Sequence, residues 1–341
     1  MQNYLIRRIL LNFFVLFLVA TMVFAALRID SSSVVTRRAG GCLAGGTGSA
    51  LQEQCEIIAR AELGLVDSIP KQYGTFLWDL SPLTYEPPFV KTPDLGKSST
   101  GNKDDIIDEI YQRAGPSIEL GILQIVFALA IALPIGVISA VKQDGPMDYF
   151  LRFFSILALG IPVFVLAVLV ILLTSRYAQG TFLADWLGPH VEYVTFFEDP
   201  VQNIKIMFAP AVLAGLGTGA IIMRFLRSQM LEVLRQDYVR TAWAKGLKER
   251  VVIIRHALKN AFIPVLTIVG ILLGNIVSGN VILEFIYGIP GLGNYIVLNI
   301  SQNPNFPAVQ GVVIVVAFVL VFVNLLIDTA YGWLDPRIRY S

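Results

Sequence analysis

Residues 237–264 read DYVRTAWAKGLKERVVIIRHALKNAFIP, a charged stretch with Gly246 near its middle, set between two long apolar runs. Apolar residues recur at helical spacing on both sides of that glycine. Leu231, Leu234, Tyr238 and Ala242 share one face of a first predicted helix, with Arg240 pointing away, and Val251, Ile254, Leu258 and Ala261 form one stripe of a second that runs into Pro264. Gly246 suits the left-handed residue that ends a helix at low steric cost. The pattern predicts a short helix that protrudes from a membrane surface while joined to a membrane helix. A basic loop held at anionic head groups is the competing reading; the glycine break between two stripes favours a shaped docking element.

The chain is 55% hydrophobic and 15% charged, which places it among integral membrane proteins. Crossing a hydrocarbon core takes about 20 apolar residues as a helix. Six stretches reach or approach that length: 9–27, 118–141, 151–174, 206–223, 262–283 and 308–330. The fourth contains Pro210, Gly215, Gly217 and Gly219, tolerated where neighbouring helices satisfy the freed backbone. The first follows Arg7 and Arg8 and loosely resembles a secretory signal at Val23-Phe24-Ala25, but its apolar run outlasts a signal core of roughly 7 to 15 residues. A retained anchor over 1–29 is predicted.

Arg224, Arg227, Arg235, Arg240, Lys245, Lys248, Arg250, Arg255 and Lys259 lie between the fourth and fifth spans, opposed by Glu232, Asp237 and Glu249. The positive-inside rule makes this segment cytoplasmic. Counting spans from it puts both termini inside, in agreement with Arg7, Arg8, Arg337 and Arg339, while Glu284 to Pro307, predicted outside, contain no Lys or Arg. Arg28, Arg37 and Arg38 run against the rule, which long translocated regions obey poorly.

Residues 30–115 are too long and polar for a turn and predict a small extracytoplasmic subdomain, leaving 116–341 as a core with five spans. Ser49 and Gln52 have capping-box spacing, and Leu51, Cys55 and Ile58 share a stripe, which predicts an amphipathic helix ending near Gly64. Pro70, Pro82, Pro87, Pro88 and Pro93 then predict an extended, irregular path, and 104–113 a second short helix. The two cysteines, Cys42 and Cys55, both fall in this region, where oxidation is permitted. Either they form a bridge, worth about 3 kcal/mol by loop closure, or Cys55 is an apolar stripe residue and Cys42 a free thiol in a Gly-rich turn.

Gly96-Lys97-Ser98 fails as a phosphate loop because Lys91 stands where that motif needs its first glycine. The two histidines, His190 and His256, are assigned to opposite sides of the membrane, so no histidine cluster is available for a metal or for base catalysis. No nucleophile has a base at readable spacing. The chain is expected to hold no cofactor, to catalyse no reaction and to bind no nucleic acid; any ATP hydrolysis belongs to another polypeptide.

Arg240-Thr241-Ala242, three residues, then Gly246 resembles the coupling motif of ABC importer permeases, commonly Glu-Ala-Ala, three residues, Gly, nine residues, Ile, one residue, Leu-Pro. Here Arg240 and Thr241 occupy the first two positions, His256 the Ile position, and Lys259 follows Leu258. These departures are similar to the dipeptide and oligopeptide branch, which reads like YVRTARAKGL followed by RHALRNA and Pro; this chain has YVRTAWAKGL and RHALKNAFIP. Ala61 to Leu65, Leu231 to Asp237, Pro290-Gly291-Leu292-Gly293, Val309-Gln310-Gly311, Asn324 to Asp328 and Leu334 to Tyr340 also resemble that branch's first permease subunit. Residues 30–101 fit less well.

The resemblance implies an all-α type I ABC importer permease with six transmembrane helices, multi-pass in a bacterial or archaeal plasma membrane. Tyr238, Val239, Arg240, Thr241, Ala242, Ala244, Lys245, Gly246 and Leu247 would form the coupling helix, within a coupling segment at 224–261, seated in a groove of a cytoplasmic ATPase. Arg240 would contact that partner and Gly246 would set the angle between the two helices. Glu284, Pro290, Gly291 and Gly293 would form an external gate; a Pro/Gly-rich re-entrant turn is the alternative. Asn275, Gln310 and Asn324 are polar positions in or beside spans that either line a solute path or bond neighbouring helices. Gly215 and Gly219, like Gly270 and Gly274, have the spacing of close helix packing. Implied partners are a homologous second permease, two ATPase subunits that bind ATP and Mg, an extracytoplasmic solute-binding protein and the lipid bilayer. The implied cargo is di- or oligopeptide; nickel chelates, glutathione, oligosaccharides and a non-transporting scaffold are the rival readings.

Overall fold

The computed structural model describes residues 2–29, 31–42, 49–62, 65–82, 93–96, 105–190, 192–276, 280–301 and 305–334, and the elements among them are helices. The Gly-rich turn after Cys42, Gly64, Pro87, Pro88, Lys91, Lys97, Ser98, Arg337 and Arg339 lie outside the described residues. The chain divides into two compact units, Met1–Ala114 with Tyr295–Val321 and Gly115–Asn294 with Phe322–Ser341.

In the first unit, α1 (Gln2–Ile29) is followed by α2 (Ser31–Cys42), α3 (Ser49–Glu62) and α4 (Ile69–Leu80). α3 falls where the amphipathic stripe predicts it. α2 carries too few apolar residues to stand out in sequence. Its Val35 and Ala39, one turn apart, are buried with Cys55 and Ala59 of α3, and Cys42 is bonded to Cys55. The extended path predicted from Pro70 begins instead as helix: Pro70 sits in the first turn of α4, where its missing N–H costs no hydrogen bond. α4 rests on α1, with Phe24 ring centroids 5.1 Å from Tyr73 and 5.3 Å from Phe76. Arg28 Nε donates to Gln72 Oε1 at 2.7 Å.

α5 (Ile106–Val141) is one helix, so 106–113 of the predicted short helix forms its first turns rather than a separate element, and Asp104 lies outside the described residues. α6 (Pro146–Gly160) and α7 (Val163–Tyr177) meet at 97°, so the third predicted span is bent, not straight. Pro162 disfavours helical backbone in the residue before it, and Ile161 is extended at φ −94, ψ 122.

α8 (Phe182–Leu187) leads to α9 (Pro200–Leu234), whose start is capped by Asp199 Oδ1 accepting from the Val201 and Gln202 N–H groups, each at 3.0 Å. α9 lies closely on α5. A Cβ at Gly215 would stand 3.0 Å from the Gln124 carbonyl oxygen, and one at Gly219 3.1 Å from that of Ala128. The four-residue glycine spacing is therefore a contact seam between two spans.

α10 (Asp237–Ala244), α11 (Glu249–Val251), a π-helical turn at Val252–Leu258 and α12 (Lys259–Ile276) follow. α13 (Val281–Tyr287) and α14 (Leu292–Ser301) form a second bent pair, at 80°, before α15 (Phe306–Leu334). Among the described residues, five helices are long and apolar enough to cross a membrane: Arg7–Ala26, Ile106–Val141, Pro200–Leu234, Glu249–Leu273 and Pro307–Ile327. They fall on five predicted spans, and the α6–α7 pair falls on the sixth. The fifth predicted span ran to Leu283, but α12 ends at Ile276 and Leu283 belongs to α13.

Candidate coupling segment and its supporting polar nodes

α9 stops at Leu234 and α10 restarts at Asp237, and this break resets the helical phase. The predicted face keeps Leu234 and Ala242, but Val239 takes the place of Tyr238 in it. Val239 and Ala242 are the buried positions, packed with Val252 against Val233 and Leu234, whereas Tyr238 is exposed. Arg240, Thr241, Ala244, Lys245 and Leu247 also face outward, joined by Trp243, which the sequence reading leaves out.

Gly246 has φ +72 and closes α10 with a paired cap. Its N–H donates to the Trp243 carbonyl at 2.9 Å, and the Leu247 N–H donates to the Ala242 carbonyl at 3.4 Å. A Cβ at Gly246 would meet nothing within 4 Å, so backbone conformation alone requires glycine there.

The second stripe keeps Ala261 and the partly buried Leu258 but changes at its start. Val252, Ala257 and Ala261 are fully buried, while Val251 and Ile254 are exposed. A spacing of five and then four follows from the π turn, whose hydrogen bonds span five residues instead of four. A 3.6-residue period cannot anticipate that register. The Tyr238 hydroxyl accepts from Asn260 Nδ2 at 3.1 Å, so α10 is tied back to the start of α12. The result is a short exposed helix with aromatic and basic side chains outward, supported by apolar packing beneath and a hydrogen bond at its side.

Glu284 on α13 is fully buried. Its Oε1 accepts from the Ser117 hydroxyl at 2.8 Å, and its Oε2 accepts from the Gly293 N–H at 2.7 Å and the Asn294 N–H at 3.1 Å. Ser117 in turn accepts from the Leu292 N–H at 2.8 Å. Serine and carboxylate together satisfy the free N–H groups that begin α14, where negative charge is favoured. Gly291 and Gly293 are buried against this node, and a Cβ on Gly291 would collide with Glu284 and Ser117 oxygens. Pro290 lies in the turn after Gly288, whose φ of +67 ends α13 as Gly246 ends α10.

The Asn275 side chain lies outside the described residues, and Gln310 and Asn324 are half-buried roughly four turns apart on α15. Three polar groupings elsewhere escape the sequence reading. Gln124 Nε2 donates to Thr218 Oγ1 at 2.7 Å and Gln124 Oε1 accepts from Asn280 Nδ2 at 2.7 Å. Arg227 of α9 pairs with the buried Asp148 of α6. Tyr193 donates to Glu119 at 3.1 Å, and burial together with that carboxylate pushes the tyrosine pKa up. A lone glutamine inside an apolar span was a legible signal for the first; the other two depend on partners distant in the chain.

Residues 132–340 match the family described as binding-protein-dependent transport system inner membrane component. The chain is 36% identical over 301 residues to the dipeptide transport system permease protein DppB of Alkalihalophilus pseudofirmus, covering 82% of this chain and 84% of that one. It is 33% identical to the protein of the same name in Escherichia coli, over 88% and 89% of the two chains, and 33% identical to that of Bacillus subtilis, over 99% and 98%. Among solved structures, an inward-facing MetNI methionine ABC transporter chain superposes with a TM-score of 0.53 at 16% identity, covering 67% of this chain and 98% of that one, a likeness of fold. With apolar spans, the paired glycine cap and this breadth of similarity in agreement, the chain belongs to the family of binding-protein-dependent transport system inner membrane components.

Proposed function

We propose that this chain is one permease subunit of an ATP-driven importer that moves dipeptides and oligopeptides across a bacterial or archaeal plasma membrane. The observation that carries this reading is α10, an exposed helix fixed from beneath by Val239 and Ala242 and closed by Gly246. Its outward residues Tyr238, Arg240, Thr241, Ala244, Lys245 and Leu247 are suited to a groove on a cytoplasmic ATPase. Peptide cargo is supported by the names of the relatives.

In this reading the basic segment 224–261 and both termini are cytoplasmic, and residues 30–115 are an extracytoplasmic subdomain. Glu284, Pro290, Gly291 and Gly293 form an external gate beside the docking site of a solute-binding protein. A homologous second permease supplies the other half of the path, to which Asn275, Gln310 and Asn324 contribute polar groups on this side. Two ATPase subunits bind ATP and Mg; this chain carries no cofactor and makes or breaks no bond. ATP binding draws the coupling helices together and opens the path outward, and hydrolysis resets it.

The test is reconstitution of the chain with its second permease and ATPases in proteoliposomes. Peptide-loaded binding protein should stimulate ATP hydrolysis and drive labelled alanyl-alanine inward. Absence of both would leave a scaffold, and stimulation confined to nickel chelates, glutathione or oligosaccharides would reassign the cargo.

A further inference from the structure

The ion pair between Arg227 and Asp148 joins two helices and is held by several further hydrogen bonds. Asp148 is fully buried in the first turn of α6, and Arg227 lies two turns before the end of α9 with its side chain 17% exposed. Arg227 Nε donates to Asp148 Oδ1 at 2.9 Å and Nη2 donates to Oδ2 at 2.6 Å. This two-pronged geometry sets orientation as well as distance. The Ser139 hydroxyl near the end of α5 donates to Oδ1 and accepts from Arg227 Nε at 3.1 Å. The Asp144 N–H, in the turn between α5 and α6, donates to Oδ2 at 3.0 Å, and Arg152 Nη1 stands 3.9 Å from the same oxygen. One carboxylate therefore gathers α5, the α5–α6 turn, α6 and α9.

Apolar residues would hold such a junction at least as tightly, because a buried ion pair must first offset the desolvation of both charges. What the pair adds is direction, since its strength depends on alignment. From Arg227 to Leu234, α9 runs without Pro or Gly. At its end, Val233 and Leu234 pack directly on Val239, Ala242 and Val252. A continuous helical stretch therefore connects the α10 packing to Arg227, and Asp148 connects Arg227 to the α5–α6 corner.

We infer that the Arg227–Asp148 pair is the joint through which movement of α10 reaches α6, which makes Arg227 a positioning residue for transport. The inference rests on the proposed reading of α10 as the coupling helix.

The experiment uses the complete complex in proteoliposomes, with binding protein loaded with alanyl-alanine, and reads ATP hydrolysed per dipeptide transported, normalised to assembled complex. Arg227→Met combined with Asp148→Leu removes both charges without stranding either. This double variant should consume about ten-fold more ATP per dipeptide. Arg227→Lys keeps the charge but loses the second prong, and should raise the ratio by a smaller factor. A wild-type ratio in the assembled fraction of both variants overturns the joint and reduces the pair to a packing element. Gly246→Val separates the two readings: if it uncouples while these variants do not, the joint alone fails, and if it also leaves the ratio unchanged, the coupling-helix reading fails with it.

Discussion

The Tyr238 hydroxyl accepts a hydrogen bond from the Asn260 amide 22 residues away, and the same nitrogen donates to the His256 carbonyl at 2.8 Å. A residue of the exposed helix is thereby tied to the root of the helix that follows, across the Gly246 turn. Tyr238→Phe deletes this tie and keeps the ring. A solvent-exposed bond of this kind contributes about 0.5–1 kcal/mol, so the unfolding midpoint should barely move while transport per ATP falls. Asn260→Ala removes this tie together with the bond to the His256 carbonyl, so it should lower transport per ATP at least as much, and adding Tyr238→Phe to it should cause no further loss.

Gly246→Val should uncouple transport from ATP hydrolysis while leaving membrane insertion intact. Space is available for the side chain, but the left-handed backbone is disfavoured by roughly 1–2 kcal/mol for ordinary residues, and β-branched residues fit it worst. Gly246→Asn, better tolerated in that conformation, should retain most transport. Equal transport by the Val and Asn variants would contradict the role given to this turn.

Glu284→Ala should lower the thermal unfolding midpoint of the purified chain by the equivalent of about 1–3 kcal/mol, because the Ser117 hydroxyl and the Gly293 and Asn294 N–H groups lose their acceptor in a buried place. Glu284→Gln keeps one acceptor oxygen and should cost less. Gly291→Ala should disturb the same node by collision with Glu284 and Ser117. Differential scanning calorimetry in detergent ranks the three.

Along the α5–α9 seam, Gly215→Val and Gly219→Val should each destabilise by about 1–3 kcal/mol through overpacking against α5 backbone. Gly217→Ala lies on the same helix but meets no atom within 4 Å. It should be neutral or stabilising by up to about 1 kcal/mol, as alanine favours helix over glycine. Unfolding midpoints of the three purified variants provide the comparison.

Membrane class, the positions of the apolar spans and the glycine-closed helix were all readable in the chain, because each follows from composition or spacing over a few turns. Gly246 is the clearest case: a local backbone requirement is met by the one residue that carries no Cβ, and φ is +72 as the reading demands. In the two helical faces beside it Ala242 and Ala261 are buried as predicted, while Tyr238 and Val251 give way to their neighbours Val239 and Val252 for an equally local reason. A two-residue break before Asp237 and a π turn at Val252–Leu258 each change the angular phase that a 3.6-residue count assumes constant.

Residue types and their order were enough to establish an apolar, multi-spanning protein with a basic hairpin between two spans. Folding in three dimensions was needed to pair Ser117 with Glu284 across 167 residues and Arg227 with Asp148 across 79, and to turn α6 from α7 at Pro162. The division has a physical basis. Burial in lipid and helix termination depend on neighbours in the chain, whereas a buried carboxylate can be placed only where the fold brings donors to it from several helices.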